Sequence, residues 1–383
     1  MRIAYITNDN PHSLSGWSGT THFIGCSLKD AGNELIYIHE FDIRSNFVFW
    51  LKQKLYPKFT GKFIQPQRYP AINKQYTSQI NKQLDKVNTP EFLFSNSSEI
   101  IAACSADIPK AFWVDACFAG MLDYYSDFSL LHPETISRAN ALEQKAYDNA
   151  ARIFFSSEWA AKTAQKHYNI DSDKIKVVPF GANITFAPEY DEIKKIISRK
   201  TLQEINLLFV GVYWERKGGP LALEVTKKLN DLNIEATLTI VGCTPFSAAD
   251  KPDFVNQPGF LNKEDEVQNE AFQNLLRNSH FLILPSKAEC YGLVYAEANA
   301  YGLPVLGTKT GGIPTIIKSG INGQLFETHA PADDYAEYII TLHTHLDQYM
   351  ELSEGALEAY HKRLNWKVAG QAVTQELKKC LKH

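Results

Sequence analysis

Two glutamates eight positions apart, Glu289 and Glu297, enclose the turn Cys290-Tyr291-Gly292-Leu293, which leads from a short apolar run into a helical pattern. A helix opening near Gly292 offers free amides and the positive end of its dipole to an anion. At 1.5 Å per residue, Glu297 then falls about 7 Å further along. A carboxylate accepts hydrogen bonds from both hydroxyls of a vicinal diol, so the pair suits a nucleotide sugar, with Glu289 on the hexose and Glu297 on the ribose. Spacing alone describes two unrelated surface acids at least as well.

Three other segments shift that balance. Arg216 and Lys217 lie in the loop Gly211-Val212-Tyr213-Trp214-Glu215-Arg216-Lys217-Gly218-Gly219 after an apolar strand, where a diphosphate needs cations. Gly311-Gly312 follows another strand, and paired glycines let backbone amides come close to phosphate. Ser18-Gly19-Thr20 stands between the first strand and the first helix. No GxGxxG occurs there, which argues against a dinucleotide dehydrogenase. Backbone near Gly242 and Gly259-Phe260 is the expected reader of the base, and Asp115 ends a strand in Trp113-Val114-Asp115-Ala116. Asp115 serves equally as a helix N-cap.

The elements that must hold these residues are strands alternating with helices. Strands are expected at 2–7, 35–39, 91–94, 110–114, 151–155 and 176–179, and the pattern restarts with 206–211, 236–241, 281–285, 304–307 and 323–326. Helices are expected at 20–31, 220–232, 264–278 and 295–301, with a helical end from about 332. Such alternation predicts parallel, doubly wound sheets, whose ligands bind outside the strands' carboxyl ends. The fold class is therefore α/β, with two Rossmann-like doubly wound domains facing across a cleft. The first domain is expected at 1–190, the second at 191–365, and a returning helix at 366–383. The polar stretch 187–201 reads as the linker.

Composition limits the alternatives. The chain has 383 residues, enough for two domains, and a net charge of −4 gives no basic field for nucleic acid. No apolar run approaches the roughly 20 residues that span a bilayer, and none near the start resembles an export signal. Six cysteines without CxxC spacing suit buried thiols in a reducing compartment, so the expected location is cytoplasmic, without structural metal. Between residues 44 and 86, nine Lys or Arg face one acid, with aromatics interleaved. This segment reads either as an interfacial helix at the inner face of a membrane or as a solvated excursion packed on its own domain.

With these residues in hand, the chain resembles the family-4 retaining glycosyltransferases of GT-B architecture. The resemblance rests on Glu289-x7-Glu297 with its Tyr-Gly-Leu core, Arg216-Lys217-Gly218-Gly219, Gly311-Gly312-Ile313-Pro314, Ser18-Gly19-Thr20 and Val178-Pro179-Phe180-Gly181-Ala182-Asn183, in the family's order. It implies that Glu289 contacts the transferred sugar, Glu297 the ribose and Lys217 the diphosphate. Arg216, Lys217, Glu289 and Asp115 become the expected catalytic set. Ser18, Gly19, Thr20, Gly211, Gly242, Phe260, Cys290, Tyr291, Gly292, Leu293, Glu297, Gly311 and Gly312 become the expected donor set. It also implies a helix around 366–381 that crosses back onto the first domain.

The chain departs from the pattern at three places. Gly211-Val212 stands where many members have Gly-Arg, which leaves Arg216 to supply the cation. Ser18-Gly19 replaces a double glycine, and Asp115 stands where His is common. The expected reaction moves a hexose from a UDP-, GDP- or ADP-sugar to a sugar, glycolipid or small-molecule hydroxyl, retaining configuration, with no bound cofactor and no metal. Surface polysaccharide, glycolipid or small-glycoside synthesis would be the setting. A sugar-nucleotide epimerase, a phosphorylase and a non-catalytic two-domain sugar-binding protein remain as alternatives.

Overall fold

The computed structural model describes residues 1–45 and 47–381. Position 46 of the basic segment and the last two residues of the returning helix lie outside them. The chain divides into two compact units, Met1–Pro179 with the segment from Trp366 onward, and Phe180–Asn365.

The first unit is built on six parallel strands: β1 (Arg2–Ile6), β2 (Glu34–Ile38), β3 (Phe92–Ser95), β4 (Lys110–Val114), β5 (Arg152–Phe155) and β6 (Ile175–Val177). Their order is β2-β1-β3-β4-β5-β6. Runs such as Phe92-Leu93-Phe94 and Ala111-Phe112-Trp113 are buried on both faces, as a sheet covered by helices on both sides requires. The helices are α1 (Thr20–Asp30), α2 (Phe47–Thr60), α3 (Pro70–Leu84), α4 (Ser98–Ala103), α5 (Phe118–Met121), α6 (Pro133–Asn149) and α7 (Glu158–His167).

The second unit repeats the plan with β7 (Ile205–Val210), β8 (Ala236–Val241), β9 (Val255–Gly259), β10 (Phe281–Leu284), β11 (Val305–Thr308) and β12 (Gly323–Phe326), ordered β12-β11-β10-β7-β8-β9 and all parallel. Its helices are α8 (Tyr190–Ile197), α9 (Gly219–Asp231), α10 (Glu266–Asn278), α11 (Leu293–Ala300), α12 (Ile313–Ile316), α13 (Ala332–Thr344) and α14 (Leu346–Arg363). Two elements depart from the sequence reading. The polar stretch expected to be linker holds α8, because Ile193 and Ile197, four apart, are buried while the charges point outward. The edge strand β9 has the polar sequence Val-Asn-Gln-Pro-Gly, and its proline is tolerated only because it lies at an edge.

The last helix, α15 (Trp366–Cys380), returns to the first unit. Trp366 stacks on Phe23 of α1 with ring centroids 6.2 Å apart and meets Trp113 edge-on at 5.5 Å. Asn33 donates to the Thr374 hydroxyl at 2.8 Å within this buried seam. All six cysteines are free thiols, and burial pushes those of Cys104 and Cys117 up to about 12.

Candidate functional site

Each sheet has one place where the chain order reverses. In the second unit it lies between β7, which leads to β8 and β9 on one side, and β10, which leads to β11 and β12 on the other. Ligands of open parallel sheets bind outside the strand ends at this point. The loop after β7 carries Arg216 and Lys217, and the loop after β10 carries Glu289, so the topology alone brings these residues together.

The two loops are joined by backbone as well as by charge. The Lys287 amide donates to the Arg216 carbonyl at 2.8 Å, and the Arg216 guanidinium donates to the Ala288 carbonyl at 2.8 Å. Gly218 opens α9 in the left-handed region at φ 81°, and a Cβ there would lie 2.1 Å from the Pro285 carbonyl oxygen. No other residue permits so close an approach. The result is an ion pair between the Lys217 ammonium and the Glu289 carboxylate, with the Arg216 guanidinium 3.8 Å from the same oxygen. Glu289 is 7% exposed, so its charge is met by cations rather than by bulk water.

Gly292 is the N-cap of α11 at φ 94°, as the turn into this helix demands, and a side chain there would collide with the Tyr295 ring at 2.3 Å. The first amides of α11, including those of Leu293 and Val294, have no carbonyl within the helix to bond, an arrangement that suits an anion. Glu297 sits one turn further in, 3% exposed, and its two oxygens accept from the Lys263 ammonium at 2.6 and 2.7 Å. Lys263 also lies 5.0 Å from the centre of the Phe272 ring. Nothing in the sequence pattern singles out Lys263; it lies 34 positions from its partner in a polar loop before α10.

The remaining donor-set residues of this unit fall around the same strand ends. The Gly312 amide donates to the Glu289 carbonyl at 3.1 Å, which fixes the Gly311-Gly312 turn beside the glutamate and engages one of its two amides. The Gly211 amide bonds the Val241 carbonyl at 2.8 Å and the Gly242 amide bonds the Gly259 carbonyl at 2.9 Å, so the ends of β7, β8 and β9 are laced together. Phe260, next in line, is exposed. Cys290 and Tyr291 are buried, and the Tyr291 hydroxyl donates to the Phe180 carbonyl at 2.6 Å while its ring meets the Phe180 ring edge-on. Tyr291 therefore anchors the loop. Tyr295 donates to the Leu284 carbonyl at 3.0 Å, and burial together with the Glu289 charge holds its hydroxyl well above the ordinary range.

In the first unit the reversal lies between β1 and β3. Ser18, Gly19 and Thr20 lead from β1 into α1 there. Trp17 and Ser18 have φ of 46° and 54°, a strained conformation for residues with side chains, of the kind that gathers at ligand sites. Asp115 follows β4, and the short helix after it is capped by Cys117, so Asp115 is not its N-cap. Sequence reasoning missed two polar residues at this point: Asp9 accepts from the Thr21 hydroxyl at 3.2 Å, and Asn96 donates to the same hydroxyl at 2.9 Å. These bonds span 12 and 75 positions, so no local pattern marks the residues that make them.

Comparison with known proteins places this architecture. The fold is that of sucrose-phosphate synthase from Thermosynechococcus elongatus, with a TM-score of 0.71, 15% identity, and coverage of 99% of this chain and 98% of that one. Anabaena HepE, solved in complex with UDP-glucose, superposes with a TM-score of 0.64 at 15% identity, covering 99% of this chain and 100% of HepE. Two Rossmann-like units with parallel six-stranded sheets define the GT-B class.

Residues 191–358, most of the second unit, match the family Glycosyl transferases group 1. D-inositol 3-phosphate glycosyltransferase of Corynebacterium kroppenstedtii is 28% identical over 61% of this chain and 54% of its own length. The enzyme of that name from Paenarthrobacter aurescens is 26% identical over 50% and 48%. The chain thus spans about half the length of these curated relatives.

Proposed function

We propose that this protein is a retaining glycosyltransferase that moves a hexose from a nucleoside-diphosphate sugar to an acceptor hydroxyl. The observation that carries the reading is the Lys217–Glu289 ion pair at the reversal point of a sheet whose residues match the group 1 glycosyl transferases, followed by the Lys263–Glu297 pair one turn into the next helix. The names of the relatives, and UDP-glucose in the HepE structure, support a nucleotide-sugar donor.

In this reading the diphosphate lies against the first amides of α11 and the Gly311 amide, with Arg216 and Lys217 as its counter-charges. Departure of the diphosphate leaves positive charge on the anomeric carbon. Groups fixed before the reaction stabilise the leaving charge without reorganising. Lys217, half-buried, is held by the buried Glu289, so its ammonium is already in place. The second oxygen of Glu289 is assigned to the hexose hydroxyls and Glu297 to the ribose, with Gly242 and Phe260 at the base. The acceptor attacks on the face the diphosphate leaves, and a donor phosphate oxygen takes its proton, so no enzyme nucleophile is needed. Asp115, with the Ser18-Gly19-Thr20 turn, is assigned to the acceptor side of the reaction. Because side-chain cations meet the diphosphate charge, turnover needs no divalent metal, and the proposed location is the cytoplasm.

Thermal-shift screening against UDP, GDP, ADP and their sugars tests the donor, since a ligand that prefers the folded state raises Tm. Release of free nucleoside diphosphate that depends on an added acceptor separates a transferase from an epimerase, a phosphorylase or a binding protein. Binding without such release would overturn the reading.

A further inference from the structure

We propose that the outward face of α2 in the first unit docks on an anionic lipid surface. Helix α2 has two apolar faces. Phe49 and Tyr56, seven positions apart, turn inward to Ile64, Tyr69 and Ile72, and Lys52 on the same side pairs with Glu134 at 3.0 Å. The exposed half of the helix carries Phe47, Val48, Trp50, Leu51, Leu55 and Phe59, with Trp50 and Phe59 at its two margins. Phe47 is 71%, Trp50 46% and Phe59 81% exposed. The helix already satisfies its own core, so this second apolar face belongs to no internal packing.

Two more exposed apolar residues stand in the segment after the helix and the strand of chain paired with it. Phe63 receives and returns backbone hydrogen bonds, its amide to the Leu130 carbonyl at 2.7 Å and its carbonyl from the His132 amide at 2.8 Å. Phe63 and Leu130 are both more than half exposed. Large apolar side chains exposed in this number on one segment mark an interaction site.

Charge decides the occupant. Arg44, Lys52 and Arg68 are committed to Asp42, Glu134 and Glu99. Lys54, Lys58 and Lys62 lie on the outward side, and among the described residues no carboxylate is in ion-pair range of them. Lys54 lies over the Trp50 ring at 4.1 Å, with its stem along the apolar face. Aromatic and aliphatic side chains interleaved with lysine suit the boundary between acyl chains and acidic headgroups. A second copy of the chain would bring these lysines against each other. At 14 residues α2 is about 21 Å long, too short to cross a bilayer but suited to lying in its surface.

The test is sedimentation of the full chain with vesicles of phosphatidylcholine alone or with 30% phosphatidylglycerol, over a range of salt. Binding is expected to the anionic vesicles, at least ten-fold weaker to neutral ones, and to fall as salt rises. Lys54→Gln with Lys58→Gln should weaken it about five-fold per lysine. Trp50→Ser with Phe59→Ser should weaken it at least ten-fold while circular dichroism and Tm stay unchanged, since both side chains face solvent. Equal binding of the Trp50→Ser/Phe59→Ser variant to anionic vesicles would show charge alone at work and overturn the proposal. So would no binding at all, or a dimer by light scattering that this variant dissolves. None of these readouts needs donor or turnover, so the result stands apart from the proposed activity.

Discussion

The Lys263 ammonium grips both oxygens of the Glu297 carboxylate, at 2.6 and 2.7 Å. Any ribose hydroxyl that Glu297 accepts must therefore share that carboxylate with a lysine from a different loop. On the proposed donor binding, the pair acts as one recognition unit. Glu297→Ala should raise the nucleotide Kd about ten-fold, and Lys263→Ala should do nearly the same by leaving a buried carboxylate uncompensated. The double variant should be no worse than Glu297→Ala alone, the mark of coupled residues. Titration calorimetry with the preferred nucleoside diphosphate measures all three, and an unchanged Kd for Glu297→Ala removes it from the ribose.

Lys217→Ala should lower kcat/KM by roughly two orders of magnitude or more, because diphosphate charge is greatest in the transition state. Nucleotide affinity should fall much less. Acceptor-dependent release of nucleoside diphosphate is the assay, and near-normal turnover would end the assigned role.

Turnover should be unchanged in excess EDTA and unchanged by added Mg²⁺ or Mn²⁺. The prediction follows from Arg216 and Lys217 lying in one loop beside the site. Activity lost to the chelator and restored by either ion would refute it.

Gly218→Ala should destabilise the second unit by about 2–4 kcal/mol, since the new methyl group must displace the Pro285 carbonyl and sit at positive φ. Urea unfolding followed by circular dichroism would register it. The neighbouring exposed position Glu215→Ala should cost less than about 0.5 kcal/mol.

His280 supplies a pH dependence. Burial, reinforced by the nearby Lys200 charge, lowers its imidazole from the ordinary 6.5 to about 4, and its Nδ1 accepts the Asn206 amide at 2.9 Å, which requires the neutral ring. Between about pH 4 and 6.5 the unfolded chain holds the extra proton, so stability falls as pH drops through that window. The loss is about 3 kcal/mol at most. Thermal unfolding against pH should show the slope, and His280→Gln should flatten it.

Most of the frame was legible because buried parallel strands carry an unmistakable apolar signature, as in Phe281-Leu282-Ile283-Leu284. The Glu289 loop and the Lys217 loop were legible because glycine at 218 and 292 is required by backbone geometry and so stands out in the chain. Lys263 and the Asp9–Thr21–Asn96 cluster were not, since a side-chain bond across 34 or 75 positions leaves no local trace. Strand β9 escaped for a different reason: an edge strand needs few apolar residues. The basic segment showed its composition but not its two faces, because only the fixed helix separates Phe49 and Tyr56 from Trp50 and Phe59.

The return of α15 to the first unit makes the second an insertion, entered after Pro179 and left at Asn365, with its two ends tied by the Ala182 amide on the Leu364 carbonyl at 2.9 Å. On the ribosome the inserted half is complete before the half that began first. Trp366, Val373 and Leu377, all buried, follow the inserted unit, and until they emerge the core of the first unit stays open. Loss of the segment from Trp366 onward would therefore injure the unit whose synthesis began before the insertion and spare the inserted unit made just before the cut.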